Sequence, residues 1–247
     1  MRVGRRPTVT LSCTFVHPGT PSVRKSDLRA VGYPSQVSDR RPSNAAKEPV
    51  LSVSLPTGGT VRPITRWGEP VMHRKLTPVT TYDEDLERLV ADMFATMYAA
   101  EGAGLAANQI GVDLQVFVFD CTDGANKRVV GVVCNPVLTL PDTGDRNLDD
   151  SEEGCLSLPG AYTYCARPDW SQVDGTDHTG APVTYVGEGG TLARCLQHET
   201  DHLMGTVFGD RVPSRARKKL YKQAEAIAED YPTEWPAVAR VSSAHDL

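Results

Sequence analysis

The stretch Thr191-Leu192-Ala193-Arg194-Cys195-Leu196-Gln197-His198-Glu199-Thr200-Asp201-His202-Leu203-Met204-Gly205 reads as one helix stopped by a glycine, and it carries His-Glu-x-x-His. On a helix, positions i and i+4 lie on one face. His198 and His202 can therefore aim two imidazoles at one metal ion, while Glu199, one residue along, reaches water held there. The segment predicts a hydrolytic metalloenzyme built around this helix. A surface helix that merely happens to hold His and Glu would show the same five residues, so the reading needs a third ligand and further motifs.

A hydrolytic metal site takes three protein ligands and leaves one position open. The metzincin continuation places a third histidine six residues after the second; Gly205 matches its glycine, but Phe208 stands at the ligand position. Other zincins take a glutamate from a later helix, and Glu225 and Glu229 remain open on spacing alone. Cys155 is the stronger candidate. It sits in Glu153-Gly154-Cys155-Leu156-Ser157, where glycine lets the backbone approach a site and the thiolate is a soft donor for a first-row metal. Cys195 is the rival thiol, but three ligands from one helix would have difficulty surrounding an ion, so it is expected to pack beside the site. Cys13, Cys121, Cys134 and Cys165 are expected to be buried or incidental.

Working outward, 247 residues suffice for one domain with an extension. The uncharged runs fall short of the roughly 18 apolar residues of a membrane span, so no membrane partner is expected. Met1 to Arg6 is basic, but Pro7 to Thr14 is too mixed for the core of a secretory signal. Six widely spread cysteines without such a signal are expected to be reduced thiols. The net charge of −5 conceals a break, because residues 1–48 hold nine basic and three acidic residues. We read residues 1–60 as a disordered N-terminal extension: a transit peptide, a dispensable extension, or the result of a start assigned too far upstream. A catalytic domain is expected over 61–211, followed by a C-terminal helix and tail over 212–247.

Within the domain, Asp83 to Ala100 predicts a helix with Thr81 as N-cap and a stripe of Leu86, Leu89, Val90, Met93 and Met97. Leu114 to Phe119 and Arg128 to Cys134 predict strands, the second closed by Asn135-Pro136. The acidic, turn-rich stretch Asp142 to Glu153 reads as a solvated loop. Short strands follow near Trp170 to Val173 and Pro182 to Val186, and a last helix starts near Pro213 and ends before Pro232. Strands in the middle with helices apart from them indicate an α+β fold.

Gly102-Ala103-Gly104-Leu105-Ala106-Ala107-Asn108-Gln109 superficially fits a dinucleotide fingerprint, but it follows a helix and precedes a strand, the reverse of what that motif requires. A helix cap with a tight turn explains the glycines and leaves Ala106, Ala107 and Gln109 unexplained. Taken together, Gly102-x-Gly104-x-Ala106-Ala107-x-Gln109, Glu153-Gly154-Cys155-Leu156-Ser157 and Gln197-His198-Glu199-x-Asp201-His202-Leu203-x-Gly205 resemble the three motifs of the peptide deformylase family, in order and spacing. The resemblance spans roughly Val61 to Arg211. It implies small mixed or antiparallel sheets around the metal-binding helix, with a C-terminal helix.

It also implies one divalent metal, natively Fe(II) and replaceable by Zn, Ni or Co, held by Cys155, His198 and His202. The implied reaction removes the formyl group from the N-terminal formylmethionine of new polypeptides and releases formate. Glu199 would move the proton, the Gln109 amide and the Leu156 backbone N–H would receive the oxyanion, and Gly104 and Leu105 would pair with an extended substrate. Cys195 would serve as a wall of the methionine pocket. The implied partners are nascent formyl-Met chains, together with the ribosome if Arg215, Arg217, Lys218, Lys219 and Lys222 contact RNA phosphates. Such a charge run is also an ordinary solvated face. The expected compartment is the cytoplasm, or a mitochondrion or plastid if residues 1–60 are a transit peptide. A zinc protease and a non-catalytic metal-binding protein are the rival readings; the first would not require Cys155 or Gln109, and the second leaves Glu199 and Gln109 unexplained.

Overall fold

A computed structural model describes residues 54–239. The basic segment 1–53, with Cys13 and the transit-peptide question, lies outside the described residues, as does the tail 240–247. Chain contact begins ahead of Val61: Leu55 packs on the core, and the Thr60 N–H donates to Asp92 Oδ1 at 2.7 Å.

Helix Glu84–Ala99 (α1) forms where the leucine and methionine stripe predicts it. Its cap is Asp83 rather than Thr81, because Asp83 directly precedes the first helical residue and its carboxylate accepts from the N–H groups of both Asp85 and Leu86 at 3.0 and 3.1 Å. Five antiparallel strands make the main sheet: Gly104–Ala106 (β1), Val116–Thr122 (β2), Arg128–Thr139 (β3), Trp170–Thr176 (β6) and Pro182–Glu188 (β7), in the order β1-β2-β3-β6-β7. Strand β2 reads Val116-Phe117-Val118-Phe119, apolar on both faces, since strand side chains alternate. Val116 and Val118 join the cluster around α1, while Phe117 and Phe119 join the cluster around helix Gly190–Leu203 (α2). The two helices thus cover opposite faces of the sheet.

Strands Leu148–Cys155 (β4) and Leu158–Pro168 (β5) form a separate antiparallel pair. Helix Ser214–Ala226 (α3) packs on it through Leu220 and Ala224, in a cluster shared with Cys155, Leu158 and Phe208. Helix α2 contacts both the main sheet and β5, which is why twelve of its fourteen residues are buried.

Two further expectations are corrected. Asn135-Pro136 does not close β3 but bends it: the register with β6 shifts between Cys134 and Val137, and Asn135 takes a left-handed φ of 53°. Asparagine tolerates that region, and its side-chain amide clamps Val79 from both sides, at 2.8 and 2.9 Å. The acidic stretch 142–153 is not all solvated loop, because its second half is β4. Alternation of the kind that marks a half-buried strand was hidden there, since the inward positions are polar and are satisfied by buried arginines instead of apolar neighbours.

Candidate metal centre

Helix α2 carries His198 and His202 one turn apart, and β4 delivers Cys155 to the same point through a register shift between Gly154 and Cys155. Among the described residues, these are the one group of three ligand-type side chains whose donor atoms converge, all within 4.8 Å of one another. His202 Nε2 lies 3.1 Å from His198 Nε2 and 3.3 Å from Cys155 Sγ. A tetrahedral ion with bonds of about 2.05 Å to nitrogen and 2.3 Å to sulfur would hold such donors about 3.3 and 3.6 Å apart. The triangle is therefore within a few tenths of an ångström of what a metal needs. Glu225 and Glu229 sit exposed at the end of α3 and beyond it, and neither joins the group. No disulfide joins the five described cysteines, all of which are buried.

The two imidazoles are shifted in opposite directions. Burial lowers the His198 pKa, yet hydrogen bonds with Cys155 and Glu153 overcome it and hold the imidazole well above its usual range. His202 is pushed well below its usual range by burial and by the neighbouring His198 charge.

Behind these three side chains is a buried ionic network. Glu153, in β4, accepts from His198 Nδ1 at 2.7 Å, so Nε2 is the nitrogen that faces Cys155 and His202. Its carboxylate also accepts from Arg167 Nε and Nη2, both at 2.8 Å, and from Arg194 Nη1 at 2.7 Å. Arg167 continues to Asp201 at 3.0 Å, which in turn pairs with Arg211. Burial would raise the Glu153 carboxyl, but the Arg167 charge and the His198 hydrogen bond hold it well below the usual carboxylate range. Phe208, the residue at the failed metzincin position, is fully buried with its ring 5.9 Å from that of His198. Asn108 Nδ2 donates to the His202 carbonyl at 2.9 Å, tying the segment that bears Gln109 to the end of α2.

A small cavity of about 20 Å³ opens beside this group, lined by Ala103, Gly104, Gln109, Gly154, Cys155, Leu156, Cys195, His198 and Glu199. It exceeds the roughly 10–15 Å³ that one water needs. A far larger cavity, about 830 Å³ and lined by Ile64, Arg66, Val71 and Tyr231 among others, shares none of these residues and holds no converging ligand set. Glu199 Oε2 is buried without a hydrogen-bond partner, and burial pushes its carboxyl up to about 7. Gln109 Nε2 points to Cys155 Sγ at 3.5 Å and to Ser157 Oγ at 3.4 Å, while its Oε1 accepts from the Ala106 N–H at 2.8 Å, which fixes the amide's orientation. A Cβ on Gly104 would lie 2.4 Å from Glu199 Oε1 and 2.7 Å from Cys195 Sγ, so only glycine leaves both side chains where they are. Leu105 is fully buried in the short edge strand β1 and does not line the cavity with its side chain.

The family profile of polypeptide deformylase matches residues 61–218. The chain belongs to the peptide deformylase family. It is 54% identical to peptide deformylase 1 of Streptomyces avermitilis over 73% of this chain and 82% of that protein. Against the peptide deformylase of Mycolicibacterium paratuberculosis the identity is 47%, over 63% and 83%. The crystal structure of a peptide deformylase from Legionella pneumophila superimposes with a TM-score of 0.60 at 37% identity, covering 68% of this chain and 96% of that one.

Deformylases are metal-dependent hydrolases that remove the formyl group from the N-terminal methionine of nascent polypeptides. The deformylase fold accounts for the α+β layout, with α2 at its centre. What sequence reasoning missed in this deformylase is the layer behind the ligands. Glu153 stood in a quoted motif but was assigned to a solvated stretch, and Arg167 and Arg194 were not singled out. A signal was present: an acidic residue directly before the Gly-Cys pair, with arginines at 167 and 194 on segments that pack against it.

Proposed function

We propose that this chain deformylates nascent formyl-Met polypeptides at the site formed by Cys155, His198, His202, Glu199, Gln109 and Leu156. The observation that carries the proposal is the convergence of Cys155 Sγ, His198 Nε2 and His202 Nε2 on one point, beside a cavity that also holds an unpartnered carboxylate. Cys155, His198 and His202 would hold a divalent ion, which would supply Lewis acidity and lower the pKa of water toward neutral pH. The thiolate and two imidazoles suit Fe(II), Zn, Ni or Co, and we assign Fe(II) as the native ion.

Glu199 performs the proton transfer. Burial that raises its pKa to about 7 makes it a base strong enough to take a proton from water and an acid able to return it to the leaving amine. Gln109 Nε2 is oriented by its partners to donate to the developing oxyanion, and the backbone N–H of Leu156, which lines the same cavity, serves as the second donor. The open edge of β1 at Gly104 and Leu105 accepts an extended peptide, with Cys195 beside it as a wall of the methionine pocket. Glu199→Gln tests the assignment: the variant retains one metal per chain while kcat falls by about 10²–10⁴-fold. Activity near that of the wild type would refute it.

Arg215, Lys218, Lys219 and Lys222 are exposed on α3 and form the surface through which we propose contact with ribosomal RNA. Reversing these charges should abolish salt-sensitive co-sedimentation with ribosomes, and unchanged co-sedimentation would exclude the contact. Among the described residues no helix is long and apolar enough to cross a membrane. We assign the reaction to the cytoplasm, because the named relatives are bacterial; intact residues 1–60 on the purified native protein would support this, and a mature terminus near Val61 would favour import.

A further inference from the structure

Of the two imidazoles, only that of His198 has its outer nitrogen held, by the Glu153 carboxylate at 2.7 Å. His202 is completely buried; its Nε2 faces Cys155 Sγ and His198 Nε2, and its Nδ1 has no hydrogen-bond partner among the described residues. With Nε2 turned to a metal, Nδ1 carries the ring hydrogen and needs an acceptor. An acceptor on a neighbouring side chain is equally unmatched. Asn108, on the short 3-10 turn Ala107–Ile110, is also completely buried, and its Nδ2 points at two carbonyl oxygens, that of His202 at 2.9 Å and that of Val71 at 3.4 Å. Carbonyls only accept, so the atom facing them is the nitrogen, which settles the orientation of the amide. Oδ1 is then the other end of the amide, with no donor to meet it among the described residues. Amide geometry keeps it about 2.2 Å from Nδ2, and so within about 5 Å of the His202 carbonyl oxygen.

We propose that Asn108 is a positioning residue for His202, its Oδ1 receiving the Nδ1 hydrogen through one buried water while its Nδ2 holds the carbonyl of the same residue. The proposal rests on the metal reading of the Cys155, His198 and His202 group. A buried donor or acceptor left unmatched costs about 1–3 kcal/mol, and one water that accepts from Nδ1 and donates to Oδ1 removes both costs. The site supplies the two polar partners that a buried water requires. His202 is then held at its backbone and at its ring by a single side chain, as His198 is held by Glu153. The same turn carries Gln109, whose carbonyl accepts from the Thr65 N–H at 2.8 Å. Adjacent residues of one turn thus orient the His202 ring and present the Gln109 amide. Asn108 does not line the small cavity, so it acts through His202 and not on the substrate.

The test uses the full chain loaded with zinc. A high-resolution crystal structure of the wild type should show one water within hydrogen-bond distance of both Asn108 Oδ1 and His202 Nδ1; its absence overturns the proposal without any variant. Asn108→Leu, close in volume and unable to accept, should bind zinc about 10–100-fold more weakly in a chelator competition. Asn108→Asp keeps the acceptor and should restore most of that affinity. In proton–nitrogen correlation spectra the hydrogen on His202 Nδ1 should move upfield in Asn108→Leu, where its hydrogen bond is gone. Zinc-saturated Asn108→Leu should release formate with a lower kcat and an unchanged KM. A purely structural asparagine would lower the melting temperature and leave zinc affinity and the His202 signal as in the wild type, and that result overturns the role. Asn108→Asp as weak as Asn108→Leu overturns it too. Wild type that holds no stoichiometric zinc overturns the metal reading, and the positioning role with it.

Discussion

Glu153→Gln keeps the shape of a fully buried side chain and removes its charge. The carboxylate accepts four hydrogen bonds from charged or imidazole donors, between 2.7 and 2.8 Å. A glutamine amide has one oxygen, which can keep two of them, and it turns an N–H toward a donor at the remaining positions. Two lost charge-assisted bonds at about 1.5–3 kcal/mol each give about 3–6 kcal/mol. Arg167 keeps Asp201, and Arg194 keeps the Cys165 carbonyl and Asp149, which places the loss near the lower end, about 3–4 kcal/mol. That agrees with the usual cost of about 3–5 kcal/mol for breaking a buried ion pair from one side. For a domain of this size it corresponds to a fall in Tm of roughly 10 °C. The same change releases His198 Nδ1 and should weaken metal affinity by about 10–100-fold.

Urea unfolding of metal-free protein at pH 7 measures the first effect, and a competition titration with a chelator measures the second. The pH dependence has a definite sign. The folded pKa is depressed, so the stabilisation is complete above the unfolded value of about 4.3 and is lost as pH falls below it toward the folded value. The gap between wild type and variant should therefore be full at about pH 5–6, close in stronger acid, and narrow as pH rises above the usual histidine range, because Glu153 also contributes to the raised His198 pKa. A loss under about 1 kcal/mol at pH 7, with unchanged metal affinity, would refute the role given to the network.

Three further outcomes follow from the site. Because burial raises the Glu199 carboxyl from an ordinary value to about 7, the metal-free fold loses stability as pH rises between those values; Glu199→Gln should then unfold later than wild type at pH 8, by at most about 3 kcal/mol, with no gain near pH 4.5. Cys155→Ala should bind no stoichiometric metal by elemental analysis, whereas retained metal would reopen the ligand assignment. Gly104→Ala should keep the metal yet lose most of kcat/KM, since its methyl group overlaps Glu199 Oε1 and Cys195 Sγ; near-normal kinetics would show that the edge of β1 is not where substrate lies.

The parts of the fold legible in the chain are those whose pattern is local. The stripe from Leu86 to Met97, the alternating Val116 to Phe119 and the i, i+4 histidines each announce an element or a face without reference to the rest. Chain ends of elements were less readable: Asp83 took the cap from Thr81 because its side chain reached two N–H groups. Asn135-Pro136 looked like a stop and is a bend, since a long-range clamp on Val79 stabilises the left-handed asparagine. Strand β4 was illegible for a deeper reason. Its inward residues Asp149, Ser151 and Glu153 are polar, and what makes them buriable is Arg167 and Arg194, which come from β5 and α2. Local periodicity cannot report a charge whose partner is supplied by another element. For the site, motif spacing named Cys155, Gln109 and Glu199, but the contact of Asn108 with His202 emerges only from the folded chain.

The most direct measurement is formate release from formyl-Met-Ala-Ser by the full chain freshly loaded with metal, run beside unformylated Met-Ala-Ser. The predicted result is one formate per formylated peptide consumed and no change in the unformylated one. Cleavage of Met-Ala-Ser at a peptide bond, without formate from the formylated peptide, would contradict it and make the Cys155, His198 and His202 centre that of a protease.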